Sequence, residues 1–341
     1  MPSPVGPAPP DVTRPVAFWS DEVDSTGGSS TFGGMSDAQG ELARGVVVEG
    51  RWRVVERLGR GGMSVLYEVQ HVRTTKRAAL KVMLLDFASS PVMRERFKQE
   101  MTVTASLESD HVVQVLDGGA DVDLGLLYIV MARLRGSDLR VERERCGGRL
   151  SERDVAEYLQ QAALGLDVAH AAGIVHRDLK PDNLFLTRRD DGQPCVKVLD
   201  FGVAKYVAES LGSAKTTQAI GTPLYMSPEQ IRGDGTIGYA ADVYSLAQVA
   251  FDLLVGEPYW AATQRRTSSL YGLLMAISAG VRESAVARAA AHDVHLPPAF
   301  DAWFARATAD DPLDRHPSIV DAAAELASIF PEVEGPATLR G

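Results

Sequence analysis

Two kinds of periodicity divide this chain, and their order constrains the fold more than any other feature. From Val46 to about Ala132 short β-branched and aromatic runs follow one another, separated by glycine or polar turns; after Gly148 the apolar residues recur at helical spacing. WRVVERLG (52–59), SVLYEVQH (64–71) and RAALKVM (77–83) predict three successive antiparallel strands, and VVQVLDGG (112–119) and LLYIVMA (126–132) two more. Between these groups Ser89 to Glu108 predicts a helix, with Phe97, Met101, Thr104 and Ala105 at i, i+4, i+7 and i+8. Later, Ser151 three residues before Asp154 gives an N-cap signal ahead of Val155, Tyr158, Leu159, Ala162, Leu166 and Ala169, and Gly173 ends that helix. One hairpin, LFLT (184–187) and VKVLD (196–200) around Asp190-Asp191-Gly192, interrupts the helices. A small sheet with one helix, then a larger and mainly helical half, predicts an α+β chain of two lobes with a cleft between them.

Ahead of this pattern, residues 1–44 are Pro, Gly and Ser with scattered acids and too little apolar surface to offset ordering entropy, so a disordered tail is expected. The folded domain is expected over 45–330, with lobes of about 45–134 and 135–330, and a short tail at 331–341. The 341 residues can bury a core without disulfide or metal staples. A net charge of −10 argues against a partner of nucleic acid or anionic membrane. The two cysteines, Cys146 and Cys195, form no metal-ligand spacing, and a reducing cytoplasm is the expected setting. No apolar run approaches the roughly 18 residues of a bilayer span, and no basic-then-apolar leader opens the chain.

The first two strands are joined by Gly59-Arg60-Gly61-Gly62-Met63-Ser64. Glycines let backbone N–H groups approach phosphate oxygens, but glycine-rich hairpins are common and this one alone fixes little. A strand follows it where a Rossmann or Walker loop would have a helix. Alternation along the third strand puts Ala79 and Lys81 on one face, which would aim a cation into the cleft beneath the glycines.

The strong signal is His176-Arg177-Asp178-Leu179-Lys180-Pro181-Asp182-Asn183, followed by Asp200-Phe201-Gly202. Here the chain resembles the eukaryotic-type (Hanks-type) protein kinases, most closely the bacterial serine/threonine kinases. The resemblance runs from about Trp52 to Phe330, with Gly221-Thr222-Pro223-x-Tyr225, Ser227-Pro228-Glu229, Asp242-Val-Tyr-Ser-Leu and Arg315 in family order. It implies a protein-kinase-like bilobal fold with the ATP cleft between an antiparallel small lobe and a helical large one.

By that resemblance Lys81 holds the α- and β-phosphates and is oriented by Glu100, Asp200 and Asn183 hold Mg²⁺ (or Mn²⁺), Asp178 accepts or orients the substrate hydroxyl, and Lys180 contacts the γ-phosphate. Leu58, Leu66, Ala79, the gatekeeper Met131 and Leu184 are expected around the adenine, with backbone groups of Ala132, Arg133 and Leu134 along its edge. Gly221, Thr222 and Pro223 form a substrate shelf; His176, Arg177, Phe201, Gly202, Asp242, Glu229 and Arg315 are structural, with Asp242 bonding the catalytic-loop backbone and Glu229 pairing with Arg315. The segment from Asp200 to Glu229 also carries Ser210, Ser213, Thr216 and Thr217, and the paired threonines are the expected phosphorylation sites, their phosphate received by Arg177.

Three features depart from the family pattern: Ser64 replaces the third loop glycine, Leu66 stands where a valine usually follows, and the hinge reads Met-Ala-Arg where an acidic and an aromatic residue often follow the methionine. The expected activity is Mg·ATP-dependent transfer to Ser or Thr of protein substrates, with autophosphorylation by a transient homodimer. A pseudokinase would lack the lysine, the base or a metal ligand, and none is missing. A small-molecule kinase is disfavoured by the shelf residues.

Overall fold

The computed structural model describes residues 41–61, 64–83, 91–201, 223–235, 237–267 and 269–330, excepting the side chains of Pro91, Met93, Arg96 and Glu100. β-Branched and aromatic alternation builds the small lobe, an antiparallel sheet in the order β1-β2-β3-β4-β6-β5. Its strands are β1 (Val47–Val48), β2 (Trp52–Arg60), β3 (Ser64–His71), β4 (Arg77–Met83), β5 (Val115–Asp121) and β6 (Leu126–Ala132). Alternation sends Val65, Tyr67, Val69, Ala78, Leu80, Val82, Tyr128 and Val130 into one core and Leu66, Ala79 and Met131 to the opposite face. Helix α1 (Pro91–Ala105) lays Phe97 against Met83 and Leu127.

Strands β2, β3, β4 and β6 match the predicted runs to within a residue. β5 starts three residues late, because the large lobe takes the residues before it. Val112 forms a parallel bridge with Val198, the Val113 N–H donates to Val198 O at 3.0 Å, and the Val198 N–H donates to His111 O at 2.8 Å. The small lobe also begins earlier than composition indicates. Residues 1–40 and 331–341 lie outside the described residues, but Leu42, expected in the tail, is buried beside Val48 and Trp52, and its N–H donates to Tyr67 Oη at 2.9 Å. One apolar residue in a polar stretch gives no periodic signal.

In the large lobe lie α2 (Leu139–Arg145), α3 (Glu152–Ala171), α4 (Pro228–Arg232), α5 (Ala240–Val255), α6 (Ala261–Thr267), α7 (Leu270–Ser278), α8 (Ala285–Ala290), α9 (Ala299–Ala307) and α10 (Ile319–Ile329). Ser151 caps α3, accepting the Asp154 N–H at 3.1 Å. α5 is buried at every residue from Ala241 to Val255, so it is the axis of the lobe. A three-stranded sheet, β7 (Ser137–Asp138), β8 (Leu184–Arg188) and β9 (Pro194–Val198), roofs the lobe under the cleft. β7 is too short for a sequence signal. Gly136 leads into it at φ 142°, where an added Cβ would meet Leu186 O at 1.9 Å, so only glycine brings the chain this close to β8. Among the described residues no helix is long and apolar enough to cross a membrane.

Candidate active site

The loop between α3 and β8 is held from below by one carboxylate of α5. Asp242, fully buried, accepts the N–H groups of His176 (2.8 Å) and Arg177 (2.9 Å) and meets His170 Nε2 at 2.8 Å. These bonds secure Arg177 at φ 63°, a conformation costly for a residue with a Cβ. His176 is buried, with its Nδ1 accepting the Asp178 N–H at 3.2 Å and its Nε2 facing Leu199 O at 2.8 Å. That pattern requires the Nε2–H tautomer. The Phe201 ring packs on His176 at 5.1 Å, tying the loop to the segment that carries Asp200. Gln230 of α4 closes the loop from the other side, donating to Arg177 O at 2.9 Å.

On this platform three predicted residues converge. Lys180 Nζ donates to Asp178 Oδ2 at 3.2 Å, and Asn183 Nδ2 donates to Asp178 O at 2.7 Å and Oδ2 at 3.3 Å. Burial works against the Lys180 charge, but Asp178, Asp182 and Asp200 prevail and hold its pKa above the ordinary value. Across the cleft, Lys81 Nζ on β4 lies 2.8 Å from Asp200 Oδ2, and Asp200 stands at φ 52°, where the chain leaves β9. Gly61, Ser64, Leu66, Lys81, Met131, Leu199 and Asp200 line the cavity between the lobes.

The apolar wall is formed by Leu66, Ala79, Val113, Met131, Phe185 and Leu199, with Leu58 and Leu134 packed against it. Leu184, expected beneath the ring, is a correction: it is fully buried in the large-lobe core, and its neighbour Phe185 belongs to the wall. Alternation from Asn183 was the available signal, since residues i and i+2 share a face. At the hinge, Ala132 ends β6, and the Arg133 side chain pairs with Glu68 at 2.8 Å. Arg60 directs its guanidinium to Glu41 at 2.7 Å. Gly62, Met63, Gly202, Thr216, Thr217, Gly221, Thr222 and the Glu100 side chain lie outside the described residues.

Pro223 opens a buried 3-10 turn ending at Tyr225, whose hydroxyl donates to Asp252 of α5 at 2.7 Å. Asp252 also pairs with Arg143 of α2, and Asp182 accepts from Arg140 Nε at 2.9 Å. Sequence reading missed these long-range contacts. Elsewhere in the large lobe, Arg315 grips both oxygens of Glu229 at 2.7 and 2.8 Å. Burial would raise the Glu229 pKa, but Arg315 outweighs it and holds the carboxyl below its usual range.

A curled antiparallel lobe closing over a lysine, facing a helical lobe that carries aspartates, a lysine and an asparagine on one loop system, defines the kinase fold. The protein kinase domain matches residues 52–295, and the chain belongs to that family. It is 37% identical over 295 residues to the serine/threonine-protein kinase PknH of Mycobacterium bovis, covering 85% of this chain and 45% of that protein. Against the serine/threonine-protein kinase Pkn1 of Myxococcus xanthus it is 39% identical over 208 residues, covering 61% and 29%. The chain thus spans less than half the length of these relatives. Among solved structures, the kinase domain of Mycobacterium tuberculosis PknI superposes with a TM-score of 0.65 at 27% identity, covering 85% of this chain and all of that one.

Proposed function

We propose that the chain is a serine/threonine protein kinase that transfers the γ-phosphoryl group of ATP to Ser or Thr hydroxyls of proteins. The observation that carries this reading is the convergence of Lys180 and Asn183 on Asp178, in the lobe whose Asp200 reaches across the cleft to Lys81. The relatives, named as serine/threonine-protein kinases, point the same way.

The donor set suits a hard cation. Asp200 offers carboxylate oxygens, and Asn183 uses its Nδ2 in both bonds to Asp178, which leaves its Oδ1 as the ligand atom. Among the described residues no three His, Cys, Asp or Glu side chains converge as a metal cage, so Mg²⁺ or Mn²⁺ would complete its shell with phosphate oxygens and water. When bound, the metal–nucleotide complex supplies the phosphoryl group and part of its charge neutralisation. The rest is done by this chain. The apolar wall takes the adenine, Lys81, oriented by Glu100, holds the α- and β-phosphates, and Asp178 takes the proton of the acceptor hydroxyl. Lys180, kept cationic by its carboxylate neighbours, holds the transferring group.

Thr216 or Thr217 is the proposed autophosphorylation site, acquired in a transient homodimer, with Arg177 as the receiving charge. Both cysteines are free, which fits a reducing cytoplasm where ATP is plentiful. The test is incubation with Mg·ATP followed by intact mass, beside Lys81→Met. Added phosphate in the wild type alone is the expected result; equal mass in both forms overturns the reading.

A further inference from the structure

The strand that carries the glycine-rich turn is irregular just before it. Arg57 of β2 pairs with Tyr67 of β3, but Gly59 pairs with Leu66: two residues advance against one, so Leu58 is an extra residue and the ladder bulges there. On a regular strand Arg57 and Arg60, three apart, would point to opposite faces. The bulge changes the phase, and both guanidiniums reach one carboxylate. Arg57 Nη1 lies 2.9 and 2.7 Å from the two oxygens of Glu41, and Arg60 Nη1 lies 2.7 Å from Oε1.

Glu41 is the anchored partner in this bridge. It is 7% exposed, and the adjoining Leu42 is buried in the small-lobe core, whereas the arginine side chains are 49% and 43% exposed. The consequence lies on the other side of the strand. Leu58, the extra residue, packs on the wall of the cleft, and Gly61 and Ser64 of the following turn line the same cavity as Lys81. Glu41 itself lies outside the segment matched by the family, which begins at residue 52.

We infer that Glu41 is a positioning residue for the nucleotide: from ahead of the family domain it staples the bulged end of β2, setting Leu58 and the glycine turn over the slot. The inference rests on the nucleotide reading above. A strand freed of the staple can lose the bulge, and a slip of one residue turns Leu58 to the opposite face. Asp178, Asn183 and Asp200 belong to the other lobe, so the loss should fall on nucleotide binding and not on the transfer step.

The experiment uses the full chain, with Mg·ATP titrated calorimetrically and steady-state kinetics on a peptide. Glu41→Gln should raise both Kd and KM for Mg·ATP about tenfold, the worth of a charge-assisted hydrogen bond, with kcat within about twofold. Arg57→Gln should do the same, and the double variant should be no worse than either single one. Val69→Ala, which loosens the same core away from the bulge, should lower Tm and leave KM for Mg·ATP unchanged. Wild-type affinity in Glu41→Gln, or an equal rise of KM in Val69→Ala, overturns the staple. A wild type that binds no Mg·ATP overturns the nucleotide reading itself.

Discussion

The ion pairs Arg315–Glu229 and Lys81–Asp200 each join segments far apart in the chain, yet they are built on opposite plans. Arg315 is enclosed, and each of its guanidinium nitrogens is bonded. Its guanidinium bonds both Glu229 oxygens, Ala309 O and Ala240 O, and lies 5.3 Å from the Tyr244 ring centroid. Lys81 meets Asp200 through a single 2.8 Å contact, with side chains 18% and 22% exposed, in a cavity the lobes share. A guanidinium with four of its five N–H donors engaged has little to exchange, and its removal leaves a buried charge behind. An ammonium with three donors and, among the described residues, one such contact can trade its partner for phosphate oxygens. Saturation, more than distance, separates the pair that holds the fold from the pair proposed to serve the reaction.

The largest effects are expected at the exchangeable pair and the base it faces. Asp200→Asn removes the charge that pairs with Lys81 and that is proposed to serve the cation, so phosphoryl transfer should fall by about 10³ or more and nucleotide affinity should fall with it. Asp178→Asn should cost as much turnover while leaving Mg·ATP affinity near wild type. Peptide phosphorylation and calorimetric binding separate the two, and turnover near wild type in either would break the division of roles.

Next comes stability. Arg315→Ala strands the Glu229 carboxylate inside the large lobe and should cost about 3–5 kcal/mol. Lys81→Met breaks a contact that water reaches and should cost about 1 kcal/mol or less. Urea unfolding monitored by circular dichroism measures both. If the two variants lose equal stability, saturation is not what distinguishes the pairs.

What the sequence made legible follows from the same contrast. The proposed catalytic residues sit in short continuous runs, His176 to Asn183 and Asp200 to Phe201, and the alternation of β3, β4 and β6 set their strands. The relation of Glu229 to Arg315 spans 86 residues and was accessible only through the resemblance to a known family. Contacts with neither a local pattern nor a motif were missed. Glu41 grips β2 from within a segment of tail-like composition, and Gln230 supports Arg177 O from 53 residues away. Leu184 faces the core and Phe185 the wall because the strand alternates from Asn183, a relation the resemblance alone does not carry. β5 lost Val112 and Val113 because the neighbouring lobe competed for their backbone bonds, which no property of that segment announces.

Acid should produce the smallest effect and should act on the enclosed pair's neighbourhood. His316, next to Arg315, is buried; its Nε2 meets Glu325 Oε2 at 3.1 Å, and its Nδ1 has no partner. Burial lowers its pKa, and Glu325 only partly opposes this, because a second proton would sit on a nitrogen with no acceptor. The unfolded chain takes up that proton near pH 6.5, before the folded one does, so stability falls as pH drops through that value. Glu229 has the same sign for a different reason: Arg315 depresses its pKa against the effect of burial, so its contribution is present above the ordinary carboxylate range and lost below it. Each group is limited to a slope of about 1.4 kcal/mol per pH unit. Unfolding midpoints should therefore decline gently from pH 7 to 5.5 in the wild type and more weakly in His316→Gln. Below about pH 4 the Glu229 contribution should add a second decline that Arg315→Ala lacks. An unchanged slope in His316→Gln would place the first titration elsewhere, and a second decline that survives in Arg315→Ala would show that the enclosed pair carries no acid signature of its own.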